Sequence, residues 1–338
     1  MKLQLRTTLL FTLLVASLTG TAVPVTAKNI HQKQILVVHS YHKSQAEHVT
    51  EMDKGIHEVL PADEYAIHSY YMDTKRHTKE SWKLKTGEKA KELVRQLRPD
   101  VVLAMDDNAQ KYFAKEYVDK PGPPWFVFSG VNKEPEEYGY PAENVTGVLE
   151  RPNIQESIEL LLKIKPDIKR ILIMADKSAT TDPTINYSKS LSLPVTVVAY
   201  RQPLTLQEWQ ETLEQYHNQV DAIGLYVLRT ITRSKTDSTK VSEQELIDII
   251  NKSYHLPTVG FFDSAATSGV LCAISVSMHE QGVAAATIAK RILEGKRPAE
   301  IPVRPTDQGR IQLNLRTAEQ LGIQIPYSII KRAEVVIR

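Results

Sequence analysis

Ile35-Leu-Val-Val-His-Ser-Tyr-His42 holds the pattern on which the whole chain is built. Four apolar side chains stand together without polar alternation, the mark of a strand covered on both faces. The run then breaks into His39-Ser40-Tyr41-His42, polar and aromatic groups that belong beyond a strand end. The same arrangement recurs. Tyr65–Tyr71 leads into Met72-Asp73-Thr74-Lys75-Arg76, Val101–Met105 into Asp106-Asp107-Asn108, and 125–128 into Ser129-Gly130-Val131-Asn132. Further along, 171–175 is followed by Asp176-Lys177-Ser178, 222–227 by Arg229-Thr230, and 259–262 by Asp263-Ser264; 195–198 is another apolar run.

Between these runs the apolar spacing changes to that of helices. Ala90, Leu93, Val94 and Leu97 fall at i, i+3, i+4 and i+7, as do Ala285, Ile288, Ala289 and Ile292; Ile154, Ile158, Leu161 and Leu162 form another stripe. Thr205-x-x-Glu208 and Ser242-x-x-Glu245 read as capping boxes, and Asn153 with Glu156 marks a further helix start. Strands alternating with helices predict an α/β protein with parallel sheets. The alternation runs twice, once up to Glu150 before Arg151-Pro152, and again from Ile171 after Lys165-Pro166-Asp167. Two lobes are expected, each an open sheet flanked by helices.

In such sheets a ligand sits beyond the carboxyl ends of the strands. The candidate ligand-binding residues are therefore Ser40, Tyr41, Asp106, Asp107, Asn108, Ser129, Gly130 and Asn132 in the first lobe. The second lobe contributes Asp176, Ser178, Tyr226 and Asp263. Hydroxyls, amides, carboxylates and an aromatic ring together suit a small polar ligand. Each group also has a plainer reading: Ser40, Asn108 and Ser178 as helix caps, Asp106 and Asp107 as a solvated turn, Lys75 and Arg76 as a surface pair.

No G-x-S-x-G elbow, G-x-x-x-x-G-K-[ST] loop or G-x-G-x-x-G turn occurs, so neither catalysis nor a cofactor is expected. His39 and His42, three apart on a strand-to-helix loop, are too weak a pattern to predict a metal site. Cys272, the single cysteine, lies in an apolar run and reads as a buried core residue that forms no intramolecular disulfide.

Residues 1–27 open with Lys2 and Arg6, continue through an uncharged Leu- and Thr-rich run, and close on Val25-Thr26-Ala27. This is the layout of a secretory signal peptide, with cleavage expected after Ala27 and a second position after Ala22. Its apolar core is too short for a membrane span. Removing it takes Lys+Arg from 42 to 40 against 40 Asp+Glu, so the mature chain is formally neutral. A nucleic-acid partner, which would demand a basic face, is not expected. The expected product is an exported, periplasmic, monomeric protein.

Several segments together resemble one family. They are Ile35-Leu-Val-Val-His-Ser-Tyr-His42, Pro99-Asp-Val-Val-Leu-Ala104, Phe128-Ser-Gly-Val-Asn132, Asn144-Val-Thr-Gly-Val148, the stretch 282–298, and Asn314-Leu-Arg-Thr-Ala-Glu-Gln-Leu-Gly-Ile323. In this order they resemble the substrate-binding proteins of ABC transporters, in the branch with the type I periplasmic-binding-protein fold that includes tryptophan and tyrosine binders. The resemblance implies 28–150 with 279–303 as lobe 1, 151–278 with 304–338 as lobe 2, and a hinge of three strands near Glu150, Met278 and Val303. It implies closure over a small ligand, an amino acid or related amine-bearing solute, and delivery to an ABC permease. Met72-Asp-Thr-Lys-Arg76 and Asp106-Asp-Asn-Ala109 are similar instead to extracytoplasmic sensor domains of histidine kinases and cyclic-dinucleotide enzymes. They depart from the Gly-Thr-Pro-like turn of the transporter versions. A ligand-sensing partner of a membrane sensor protein is therefore the alternative function.

Overall fold

The computed structural model of the chain describes residues 32–44, 47–178, 181–306 and 309–338. The segment read as a signal peptide, 1–27, lies outside the described residues. From Lys33 onward the strands β1 (Lys33–His39), β2 (Tyr65–Tyr71), β3 (Val101–Met105), β4 (Trp125–Val131) and β5 (Val145–Leu149) build a first sheet. Helices α1 (Glu47–Val59), α2 (Glu80–Leu97) and α3 (Asp106–Tyr112) connect them. After α4 (Ile154–Ile164) come β6 (Arg170–Met174), α5 (Thr181–Ser190), β7 (Thr196–Arg201), α6 (Leu206–Tyr216), β8 (Ala222–Leu225), α7 (Glu243–Ile249), β9 (Thr258–Gly260) and β10 (Cys272–Val276). The chain finishes with α8 (Met278–Leu293), β11 (Arg304–Pro305), β12 (Gly309–Asn314), α9 (Leu315–Gln320), α10 (Tyr327–Ile330) and β13 (Val335–Ile337).

The first sheet has the order β11-β5-β4-β3-β1-β2 and is parallel throughout. The second has the order β13-β12-β10-β9-β8-β6-β7, parallel except where β12 runs against β10. The unbroken apolar runs follow from burial on both sides. Ile35 and Val37 face α1 and α8, meeting Met52, Ile56, Ala285 and Ala289, while Leu36 and Val38 face Ala90 and Val94 of α2. In the second sheet Ile171 and Ile173 pack with Ile158 and Leu161 of α4; Leu172 and Met174 pack with Trp209 and Leu213 of α6. Cys272 is fully buried there, and burial raises its thiol pKa.

The sequence places the run at 195–198 about one residue early: β7 is Thr196–Arg201, an edge strand with half-buried residues. The caps divide. Thr205 and Ser242 each accept a hydrogen bond from the backbone N–H three residues on, but Asn153 uses its amide to reach the Ser275 carbonyl instead of capping α4.

The chain passes from the first sheet to the second between β5 and α4 and returns as α8, which packs on β3, β4 and β5. Arg304 and Pro305 still pair with Val148 and Leu149, two residues beyond the boundary expected at Val303. From Gly309 the chain lies beside β10.

Helices α1 and α8 touch backbone to backbone. A Cβ on Gly282 would lie 2.2 Å from the Met52 carbonyl oxygen, and one on Gly55 2.2 Å from the His279 carbonyl oxygen. Ordinarily Gly→Ala within a helix is stabilising by about 1 kcal/mol. Here Gly282→Ala is expected to lower stability by about 1–3 kcal/mol in urea unfolding, because the helices must separate to admit the methyl group. A variant as stable as the parent would show that the helices have room to spare.

Candidate ligand-binding cleft

Each sheet reverses its strand order once, with β1 lying between β2 and β3 and β6 between β7 and β8. At such a reversal the connections leave toward opposite faces, and a crevice opens beyond the carboxyl ends of the two strands. Tyr41 and Asp106 therefore come together in the first lobe, and Asp176 and Tyr226 in the second.

Several expected ligand residues serve the lobes themselves. Ser40 is buried; its hydroxyl donates to the Met105 carbonyl at 2.7 Å and accepts from the Ala109 N–H at 2.8 Å, so it caps α3. Asp107 accepts from the Asn132 and Lys133 N–H groups at 3.2 and 3.3 Å and from the Tyr138 hydroxyl at 2.9 Å. Its carboxylate thus ties α3 to the loop after β4. The Asn108 amide donates to the Thr74 hydroxyl at 2.9 Å. Ser129 donates to the Gln281 side-chain oxygen at 2.6 Å, and the Gly130 N–H reaches the same oxygen at 3.0 Å. Ser178 exchanges hydrogen bonds with Thr181 at the start of α5. These polar groups satisfy their own backbone, which is the commoner fate of strand-end residues.

A second set lies at the same strand ends. Asp106 takes a left-handed backbone, φ 64°, at the end of β3, a conformation aspartate tolerates better than most residues. Its side chain is 6% exposed, and among the described residues Oδ2 meets no hydrogen-bond partner. Burial, then the charges of Glu150 and Asp107, raise its pKa well above the ordinary carboxyl range, against the pull of Lys75. Burial and the Asp106, Asp107 and Glu150 charges likewise raise the Tyr41 phenol. From the second lobe, burial raises Tyr226, with Glu150 and Asp263 adding to it. Asp263 is exposed to the cleft, yet the surrounding protein still raises it, against the Ser275 hydroxyl and the charges of Arg310 and Arg229. Asp176 is buried; Oδ2 accepts from the Thr230 N–H at 2.9 Å and Oδ1 meets no partner among the described residues.

Glu150 is absent from the expected ligand residues because the sequence does not mark Val145–Leu149 as a strand, although Glu150 directly follows it. It accepts from the Asn132 amide at 3.1 Å, and burial pushes its carboxyl up to about 7, with Asp263 and Asp107 contributing. Gln281 was also missed. Beyond holding Ser129 and Gly130, it donates to the Leu149 carbonyl at 3.1 Å. Lys75 and Arg76 diverge: the Lys75 ammonium lies 5.6 Å from the Tyr41 ring centre, while Arg76 pairs with Asp73.

Two cavities border these residues. One of about 630 Å³ is lined by Glu51, Asp263, Ser277, Glu280 and Arg310, and another of about 660 Å³ by Leu149, Arg151, Asp182, Tyr187 and Pro305. Neither includes Tyr41, Asp106 or Tyr226. The unpartnered carboxylate oxygens place the candidate site with those residues, at the two strand-order reversals. His39 is engaged elsewhere: its Nε2 lies 2.8 Å from Asp53, which also accepts from the Tyr71 hydroxyl at 3.0 Å.

Residues 45–337 match the family described as ABC transporter substrate binding protein. A tyrosine-binding protein from Clostridioides difficile strain R20291 is 24% identical over 189 residues, 54% of this chain and 51% of that protein. The match thus spans about half the length of that curated relative. Among solved structures, the ligand-free, open form of a substrate binding protein with adhesive properties from Clostridium difficile has a TM-score of 0.65 at 16% identity. It covers 90% of this chain and 99% of that one. An ABC domain in complex with L-Trp from Streptococcus pneumonia has a TM-score of 0.51 at 21% identity, covering 90% and 100%. These likenesses establish the two-domain α/β fold of periplasmic binding proteins.

Glu150 gives stability a pH dependence of definite sign. Its folded value lies above its unfolded one, so the folded state binds the proton more tightly. The destabilisation is absent below about pH 4.5 and complete above about pH 7. Glu150→Gln is expected to raise stability by up to about 3 kcal/mol at pH 8 and to leave it unchanged near pH 4 in denaturant titrations. An equal effect at both values would mean that Glu150 ionises normally in the folded protein.

Proposed function

The chain belongs to the ABC transporter substrate-binding protein family, and we propose that it captures an amino acid or related amine-bearing solute by closing two lobes over it. The observation that carries this reading is a pair of buried carboxylate oxygens without partners among the described residues, Asp106 Oδ2 on one lobe and Asp176 Oδ1 on the other, beside carboxyls whose pKa values burial raises. Asp106 and Glu150 stand on one lobe, and Asp176 and Asp263 on the other. Asp106 and Glu150 accept an ammonium from the first side, and Asp263 completes the contact from the second. Tyr41 and Tyr226 supply rings that cover an apolar or aromatic portion of the ligand. A solute favours the closed form only through contacts it gains there, so both lobes must contribute to affinity. The relative named for tyrosine and the neighbour holding L-Trp support a ligand of amino-acid size. The closed form is then presented to an ABC permease, outside the membrane to which a signal peptide at 1–27 would export the chain.

A thermal-shift series against amino acids and amines tests the reading. A solute at 100 times its dissociation constant should raise stability by about 2.7 kcal/mol. Asp106→Asn and Asp263→Asn should each weaken that solute at least about tenfold, roughly 1.4 kcal/mol, while the fold without solute is no less stable than the parent's. Sensitivity confined to one lobe would contradict capture by closure.

A further inference from the structure

The cleft holds more negative charge than its own cations neutralise. Asp106 and Glu150 belong to the first lobe and Asp263 to the second; the charge of Glu150 bears on Asp106, and that of Asp263 on Glu150. Most nearby cations are already engaged. Arg229 lies 3.4 Å from Glu243 and Arg310 3.5 Å from Glu334, so the pull that both exert on Asp263 is shared with a second carboxylate. Arg151 donates to the carbonyls of Val131, Asn132, Lys133 and Glu150 and pairs with Glu134. Lys75 is left, and its ammonium sits over the Tyr41 ring in the field of Asp106. Against this stands a carboxylate oxygen, Asp106 Oδ2, that is buried without a partner among the described residues.

We infer that the cleft selects its ligand by a positive charge: an organic ammonium seated on Asp106 and Glu150 and closed over by Asp263, for which a ligand carboxylate is dispensable. The inference rests on the solute-binding reading above and adds the chemical class. Lys75 is a tethered precedent, since it brings an ammonium against the same ring and the same carboxylate that a free amine would use.

The inference carries a proton balance. Glu150 is faced by Asp106 and Asp107 from α3, Asp263 beyond β9, the Tyr41 and Tyr226 rings, Arg151 beside it and the Asn132 amide. With the cleft empty, burial and these like charges favour the protonated acid. Asp106, shifted the same way, shares this balance: an entering ammonium favours the carboxylate of each, and protons leave to solvent on binding. Affinity for the cation then rises as pH rises through neutrality.

Titration calorimetry on the whole protein tests this with putrescine, phenethylamine and tyramine. Their amino acids (ornithine, phenylalanine, tyrosine) and the carboxylates 3-phenylpropionate and 3-(4-hydroxyphenyl)propionate are run beside them. At least one amine should bind within about threefold of its amino acid while the carboxylates do not bind. Its affinity should rise about tenfold or more from pH 5.5 to pH 8, and less steeply in Glu150→Gln, where only Asp106 carries the dependence. Lys75→Met should leave amine affinity unchanged or higher. Amino acids binding while their amines do not would overturn the inference and leave the solute-binding reading standing. So would amine binding that is flat with pH, or a loss of about tenfold in Lys75→Met, which would assign Lys75 to an anionic ligand group. A blank with both amines and amino acids would remove the amine-bearing ligand from both readings.

Discussion

Gly282 and Gly55 allow two helix backbones to meet without side chains between them, and the geometry of the cleft depends on that meeting. Helix α8 arrives from the second lobe and completes the core beneath β1, β3 and β4 with Ala285, Ala286, Ala289 and Ile292. Its close seat on α1 fixes Gln281, the residue before Gly282, against the ends of β4 and β5. A single buried carboxamide so positions Ser129, Gly130 and Leu149. Gly130 in turn leaves room for the Asp106 carboxylate, which a Cβ there would approach to 3.1 Å. The acidic wall of the cleft is therefore held from behind by a helix that belongs, in chain order, to the other half of the molecule.

That wall is electrostatically incomplete as it stands. Buried carboxyls without counterions move toward their neutral forms, and both Asp106 and Glu150 are shifted in that direction. Asp107, one residue from Asp106, shows the alternative: three donors around its oxygens stabilise it within the lobe and remove it from the cleft. The adjacent pair thus divides into one framework group and one group open to a ligand. Arg151 makes a similar division on the first connection between lobes. Its buried guanidinium gathers the carbonyls of Val131, Asn132 and Glu150 and so ties Glu150 to the end of β4.

The sheets are legible because their strands are apolar runs that no loop would carry. The rule about carboxyl ends singles out Tyr41, Asp106, Tyr226 and Asp263 as expected ligand residues. It does not reach Glu150, because Thr146 and Gly147 interrupt the apolar run of β5 and hide the strand that ends at it. The division between Asp106 and Asp107 was beyond reach, since it depends on donors from residues 132, 133 and 138, brought near only by the fold. Ser40 was read correctly as a possible cap, but the helix it caps follows β3 rather than β1. Gln281 carries no local signal at all; its role exists only once α8 has crossed back.

The return of α8 also sets the order of events during folding. His279 and Glu58, which bond across the two helices, are 221 residues apart in the chain. Until that distance has been synthesised, α1 and the first sheet expose an apolar face with nothing to cover it. Contacts of such long range form slowly, because loop closure must precede them. The first lobe, though first in the sequence, therefore waits for α8 to complete its core, and the second waits in turn for Leu313, Ala318 and Ile325. Neither half of the chain can therefore close its core before nearly the whole sequence exists.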